Sequence, residues 1–319
     1  MEGLGKSVWI DVENSSKLMI QFINRSDIDE VKYNACIENS LQSRIYAYSW
    51  YLDIACDNWG ALILNDYEAV MPLPWRKKMF IKYVYPPFWI LQLGLFSKES
   101  QDENEFLIAL FSSFRFVETK MNTANAFSIF KANQIEKRTQ FLSLKDEYSR
   151  ISLAYKRERK KELKKAMKYD LVERWNDSPD KLIDLYKSNV GRRVKKLKDS
   201  DYLNLLKLME VCRDKKMGEL LSIYDNNQRL VASAFFITHH KRVSILVSST
   251  DFKNRKNGAN TFLIDRAIFK YQRHYNDFDF GGSSIKSIAN FFKSFGSKDQ
   301  GIILLKYNNL PRVLRFFKR

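Results

Sequence analysis

The chain has 319 residues, 45% hydrophobic and 14% aromatic, with 54 Lys and Arg against 37 Asp and Glu, a formal net charge of +17. That apolar share excludes a disordered chain, and the length fits two domains better than one. The longest largely apolar run, Phe88–Phe96, is too short to span a bilayer. Cys36, Cys56 and Cys212 are odd in number and far apart, so buried reduced thiols are expected. His239, His240 and His274 have no partners at metal-ligand spacing, so no metal is expected. Met1–Ser16 lacks the apolar centre of a signal peptide, which predicts a cytoplasmic protein, and residues 1–18 read as an extension outside the fold.

In chain order, Ile20–Asn24 reads as a short strand. Asp27–Ser40 has Ile28, Val31, Ala35 and Ile37 at helical spacing, with Ser26 or Asp27 as its cap. Ser43–Asp57 is rich in tyrosine and reads as helix or loop, its rings packing between layers. Trp59–Leu64 and Tyr67–Leu73 are apolar runs joined at Asn65-Asp66, a hairpin signal; Pro72, Pro74 and the basic Trp75–Lys78 then break the pattern. Ile81–Phe96 reads as one strand or two, broken at Pro86-Pro87. Asn104–Phe114 is an amphipathic helix, and Arg115–Thr119, Phe127–Phe130 and Thr139–Leu144 read as strands. Lys98–Glu105 carries four acids and no glycine, so the turn before this helix would repel a phosphate.

Ser149–Ile151 is the expected boundary between domains of residues 19–150 and 151–319. Residues 1–150 hold 17 Lys and Arg against 19 Asp and Glu, and the remainder 37 against 18, so nearly all the positive field belongs to the second half. Polyanions are its expected partners. Tyr155–Tyr169 has eight Lys and Arg in fifteen residues, with only Leu163, Ala166 and Met167 as an apolar stripe. It reads as a helix whose basic face is either merely solvated or in contact with phosphates, the latter with steep salt dependence. Leu171–Trp175 is a strand, and a helix from Asp177/Ser178-Pro179 runs to Ser188. Gly191–Lys198 is a basic loop, Tyr202–Lys215 a helix, and Glu219–Tyr224 with Arg229–Thr238 a hairpin. Ile302–Tyr307 is the final strand.

Between them lies the most informative stretch. Arg242–Thr250 is rich in β-branched residues and reads as a strand. The polar loop Asp251–Asn260 follows, with Arg255, Lys256 and Gly258, and then Thr261–Tyr271 with apolar residues at helical spacing. A helix start leaves amide groups unpaired and carries partial positive charge, so a strand, glycine loop and helix in this order can hold a phosphate. Asp277–Phe280 is a further strand, ending in Gly281-Gly282-Ser283-Ser284 before another helix.

Arg255-Lys256-Asn257-Gly258-Ala259-Asn260 resembles the pyrophosphate loop of the GNAT acyltransferases, Q/R-x-x-G-x-G/A, with Asn260 where that pattern has Gly or Ala. Asp279–Ser283 followed by Asn290-Phe291-Phe292-Lys293-Ser294-Phe295-Gly296 resembles the end of FemAB-like proteins, which carry two GNAT-type domains in one chain. The resemblance implies an α/β fold with mixed sheets, built as two tandem GNAT-like domains, the first degenerate and the second holding the donor.

No Ser-His-Asp, Cys-His or paired-carboxylate pattern stands out, and amine acylation needs chiefly positioning and oxyanion stabilisation. What the resemblance implies is N-acyl transfer from acyl-CoA, such as acetyl-CoA, to a small-molecule or peptide-like amine. Backbone groups of Val247, Ser248 and Ser249 would pair with the pantetheine arm, and Arg255, Lys256, Asn257, Gly258, Ala259 and Asn260 would meet the pyrophosphate. Lys293 would contact donor phosphate or developing charge, against the plainer reading of a cation at a helix C-terminus. Asp251 stands as base or as a solvated loop acid, and Tyr307 as acid for the leaving thiol or as core. Two alternatives stay open: a FemAB-like enzyme using aminoacyl-tRNA on a cell-envelope precursor, and a non-catalytic nucleic-acid-binding protein on a decayed GNAT fold. An anionic membrane surface is a further partner that the charge admits.

Overall fold

The structure, a computed structural model, describes residues 19–194, 196–253, 255–282 and 285–311. The expected extension over residues 1–18 lies outside them, as do Lys195, Asn254, Ser283, Ser284 and the side chain of Arg255. The chain forms two compact units, Met1–Lys137 with Gly301–Arg319, and Arg138–Gln300. Among the described residues, no helix is long and apolar enough to cross a membrane.

The first unit runs β1 (Ile20–Asn24), α1 (Glu30–Asn39), α2 (Ser49–Ala55), β2 (Trp59–Leu64), β3 (Ala69–Lys78), β4 (Ile81–Val84), β5 (Phe96–Ser97), α3 (Glu103–Ser113) and β6 (Phe116–Lys120). Its mixed sheet has the order β1-β2-β3-β4-β6, and the final strand, Lys298–Asn308, closes it by pairing Leu304–Asn308 antiparallel with β6. Phe106, Leu107, Leu110 and Phe111 form the buried stripe of α3 and pack with Leu62, Met71, Leu73, Val117 and Leu305. Asp102 caps that helix by accepting the Asn104 amide, and Glu103 accepts from Asn125 and Ala126. Burial raises the Glu103 carboxyl. The helix start is thus filled by the chain's own acids.

Several boundaries differ from the sequence reading. Arg25–Asp27 folds as a 3-10 turn, so Asp29, not Ser26 or Asp27, caps α1 through the amides of Val31 and Lys32. Strand β3 continues through Pro72 and Pro74. The Trp75 amide donates toward β2, to Asn58 O, whereas Pro74 O accepts from Tyr85 on the opposite side. The missing N–H groups of both prolines therefore fall where β3 has no paired strand, between the partners β5 and β4. Phe127–Phe130 is not a strand: Phe130 is left-handed at φ 51° and Gln134 Nε2 ties off Ile129 O at 2.6 Å. Ser43–Asp57 resolves into a 3-10 turn, Ile45–Ala47, and α2; the Tyr33 hydroxyl donates to Ala47 O at 2.7 Å and the Tyr51 hydroxyl to Trp89 O at 2.6 Å.

After β7 (Gln134–Ser143), the second unit runs α4 (Tyr148–Leu153), α5 (Arg157–Lys168), β8 (Val172–Trp175), α6 (Pro179–Ser188), α7 (Asp199–Asp214), β9 (Gly218–Tyr224), β10 (Leu230–His239), β11 (Arg242–Thr250), α8 (Ala259–Tyr271), β12 (Asp277–Asp279) and α9 (Lys286–Lys293). Strands β8 to β11 form an antiparallel meander. Helix α8 then carries the chain across to β12, which lies parallel to β11 and antiparallel to β7. Leu263, Ile264, Ala267, Ile268 and Tyr271 of α8 pack on Ile223, Phe236, Ile245 and Phe278.

The thiols sit in apolar surroundings, and burial pushes Cys36 up to about 11 and Cys212 up to about 12, so none is a ready nucleophile. Two substitutions test these assignments. Phe278→Ala, at a fully buried position, is expected to lower the unfolding free energy by about 3–5 kcal/mol in urea titration, and Asp29→Ala by about 1 kcal/mol.

Candidate functional site

The geometry of interest is where β11 and β12 separate. They pair only over Arg242–Ser244 and Asp277–Asp279. Beyond that point β12 turns toward β7: the Phe280 amide donates to Gln140 O at 3.0 Å, the Gly281 amide to Asp279 Oδ1 at 2.9 Å, and both Gly281 and Gly282 have positive φ. A Cβ on Gly282 would lie 2.9 Å from Arg138 O, so only glycine lets the chain turn there. Strand β11 runs on to Thr250, and its edge from Ile245 onward has no strand partner on that side among the described residues.

Strand β11 also bulges on its β10 side. Phe235 faces Val247 and Phe236 faces Ile245, so Leu246 is an extra residue that has no partner in the register. Val247 and Ser248 follow directly. The Ser249 hydroxyl is already used, donating to Leu185 O of α6 at 3.2 Å. Leu246 escaped the sequence reading; its signal was the run Ile245-Leu246-Val247, where polar–apolar alternation slips by one.

The turn from Arg255 to Asn260 is closed. Gly258 is left-handed at φ 81° and starts α8, while the buried Asn257 carboxamide accepts the Ala259 amide at 3.0 Å. Helix α5 lies against it, so that a Cβ at Gly258 would stand 2.4 Å from Glu162 O. The fully buried Thr261 donates its hydroxyl to the Glu162 carboxylate and accepts from Arg159 Nη1 at 2.7 Å. Arg159 also pairs with Glu162 at 2.9 Å and lies over the Phe291 ring at 4.6 Å. A carboxylate of the chain itself thus stands beside the first turn of α8, bonded to the Thr261 hydroxyl.

The turn read as a pyrophosphate cradle, Arg255, Lys256, Asn257, Gly258, Ala259 and Asn260, thus has the Glu162 carbonyl and the Thr261–Glu162–Arg159 cluster packed beside it. Lys256 is exposed, Asn260 half-buried, and Ala259 and Asn257 buried. The missing information was that Arg159 and Glu162, in a helix read for its basic face and the stripe of Leu163, Ala166 and Met167, turn onto Thr261.

Each of the three catalytic candidates has its own local partners. Lys293 ends α9 and its Nζ pairs with Asp299 Oδ2 at 2.6 Å, a carboxylate that also accepts from Gln140 at 3.0 Å and Arg138 at 3.4 Å. The Lys293 hydrogen bond, then that of Gln140, holds the Asp299 carboxyl below its usual range. Asp251 accepts the Lys253 amide at 2.9 Å in a local turn. Tyr307 belongs to the first unit, its ring stacked on Phe111 at 4.1 Å.

Sequence reasoning also passed over Asp265, buried on the inner face of α8. It accepts from the Tyr148 hydroxyl at 2.7 Å, and burial raises its carboxyl against the opposing pull of that bond.

Comparison with known proteins bears on the same segment. Residues 150–294 match the acetyltransferase (GNAT) domain family. Among solved structures the chain is similar to FemX, with a TM-score of 0.60 and 11% identity, covering 92% of this chain and 99% of that one. It is similar to the C-terminal domain of a putative lysylphosphatidylglycerol synthetase from Agrobacterium fabrum (TM-score 0.55, 10% identity, 88% and 92% covered). A tandem GNAT protein from the clavulanic acid biosynthesis pathway is also similar (TM-score 0.55, 9% identity, 92% and 99% covered). At such identities the likeness is one of fold. No curated protein sequence matches the chain.

Gly258→Ala is expected to cost about 2–4 kcal/mol, from left-handed strain together with the clash at the Glu162 carbonyl, measured by chemical denaturation. The raised Asp265 carboxyl means that the folded state resists its ionisation. Stability relative to Asp265→Asn should therefore fall as pH rises from about 4, the ordinary aspartate value, through the raised one. Denaturation of both proteins at stepped pH measures this, and a difference independent of pH contradicts it.

Proposed function

Because the chain carries a GNAT-type acetyltransferase domain within a FemAB-like, tandem-GNAT fold, we propose that it moves an acyl group from an activated donor onto an amine. The observation that carries this reading is the parting of β11 from β12 beyond Ser244 and Asp279, next to the bulge at Leu246. Beyond Ser244 the β11 edge away from β10 has no strand partner among the described residues, and those backbone groups of Ile245–Ser249 that point to that edge lie outside the ladder. In acyl transfer the amine attacks the donor carbonyl carbon, negative charge collects on the carbonyl oxygen, and a fixed amide there lowers the barrier. The amine then loses a proton as the C–N bond forms, and the leaving group departs with the electrons of the broken bond. Asp251, at the exit of the same strand, is the proposed acceptor of that proton. Lys293 is proposed to meet donor charge, exchanging Asp299 for it.

Acyl-CoA is the donor that the loop motif suggests. The packing of α5 against the start of α8 favours a second reading, an aminoacyl ester on tRNA, whose phosphates would not need that turn. Arg157, Lys160, Lys161, Lys164 and Lys168 of α5 are exposed and would meet them, and a peptide-like amine of a cell-envelope precursor is the proposed acceptor.

Discharge of acetyl-CoA and of a mixed aminoacyl-tRNA pool, each with a peptide amine and each against a no-enzyme blank, tests the proposal. Turnover of one donor to an N-acylated product is expected; no discharge of either above the blank sinks it. If tRNA is the donor, its affinity should fall by about tenfold or more between 50 and 200 mM salt, and K160E/K164E should flatten that dependence.

A further inference from the structure

The hairpin joining β3 to β4 is built against its own local preferences. Its register pairs Arg76 with Tyr83, Lys77 with Lys82 and Lys78 with Ile81, leaving a two-residue turn of Met79 and Phe80. Both are left-handed, with φ of 47° and 64°. A two-residue turn with positive φ at both positions favours Asn-Gly, because a Cβ crowds the backbone there. Here the positions hold two large apolar side chains, Met79 58% and Phe80 93% exposed.

The flanking charges are also unfavourable. Lys77 and Lys82 stand directly opposite one another, where like charges repel. Lys82 Nζ lies 4.5 Å from the Trp75 ring centroid and Lys77 Nζ 5.6 Å from that of Phe80, which offsets part of the cost. Lys77, Lys78 and Lys82 form no ion pair with a described residue, whereas Arg76, one step further back, pairs with Asp57 and covers Tyr85. Left-handed apolar residues, an exposed ring and facing lysines all lose free energy in the isolated chain. An anionic surface with an apolar interior would return the part owed to the exposed apolar side chains and the facing lysines, and so offset the strain of the turn.

We infer that this hairpin tip is a contact site for an anionic lipid surface. The tip is convex and two residues wide, so it presents no groove to a peptide. At about 3.3 Å per residue the lysine α-carbons lie roughly 3–10 Å behind Phe80 along the strands. Met79 and Phe80 would enter the acyl boundary while the lysine stems reach back to the phosphates. A nucleic-acid base stacking on Phe80 fits less well: the Lys77 ammonium already lies over that ring, and Met79 offers a base nothing. The site uses none of the residues assigned to acyl transfer and stands apart from that reading. One ring, one thioether and three lysines give weak, reversible attachment.

The test uses the full chain and sedimentation with vesicles of phosphatidylglycerol and phosphatidylcholine, beside vesicles of phosphatidylcholine alone. The exposed cations of α5 also attract anionic vesicles, so the comparison of variants decides. Met79→Asn with Phe80→Gly suits the turn and should keep or raise thermal stability, yet lower vesicle affinity by about tenfold or more. Lys77→Gln with Lys82→Gln should remove the most salt-sensitive part, about fivefold per lysine. With F80W, indole emission should shift to the blue on anionic vesicles and be quenched by lipids brominated in their acyl chains. Unchanged vesicle affinity in the Asn-Gly variant, or an F80W emission that ignores vesicles, overturns the inference. So does a tip variant that loses RNA affinity while keeping vesicle affinity.

Discussion

A cluster of charge and hydroxyl, Arg159 and Glu162 gathered on the buried Thr261, sets the character of the second unit. A helix that begins on glycine leaves its first amides exposed, and the partial positive charge there must be met by something. Here Asn257 accepts the Ala259 amide, and α5 sets the Glu162 carboxylate on the Thr261 hydroxyl with Arg159 paired to it and lying over Phe291. That choice fixes where α5 sits: Glu162, Arg159 and Ala166 face inward while the lysines between them face water. The strongly basic surface of this helix and the closed turn of α8 are two faces of one arrangement.

The separation of β11 and β12 has a comparable electrostatic root. Asp279 ends β12 buried, yet its carboxylate is saturated: Thr139 and the Gly281 amide donate to one oxygen and Arg242 to the other at 3.2 Å. Thr139 of β7 and the Gly281 amide draw the chain toward β7 and through the two left-handed glycines, while Arg242 ties the same carboxylate to β11. The sheet edge opens because an acid placed there recruits the next residues for its own satisfaction, which a hydrophobic residue would not do.

Much of the fold was legible from the sequence because local rules and packing agreed. Strand β11 was bounded from its β-branched content, α6 from Pro179 at its first turn, and the β9–β10 hairpin from its polar break. The misses are places where a long-range partner overrode a local signal. Proline looked like a strand breaker, but Pro72 and Pro74 sit where β3 needs no donor. Phe127–Phe130 looked apolar enough for a strand but its carbonyls are taken by Gln134 and Lys131. The site was legible only in outline. Gly258 and its loop stood out by residue type, whereas the inward turn of Glu162 could not be read from a helix with so many cations. Leu246 had only a slipped alternation to betray it.

The last strand carries a consequence for how the protein is made. Phe116–Lys120 waits for Leu304–Asn308, roughly 190 residues later in synthesis, and such distant pairings form late. Residues 138–300 emerge from the ribosome before that partner does. The unit begun first is thus the one completed last, and until the C-terminal segment arrives β6 presents a bare edge to other chains.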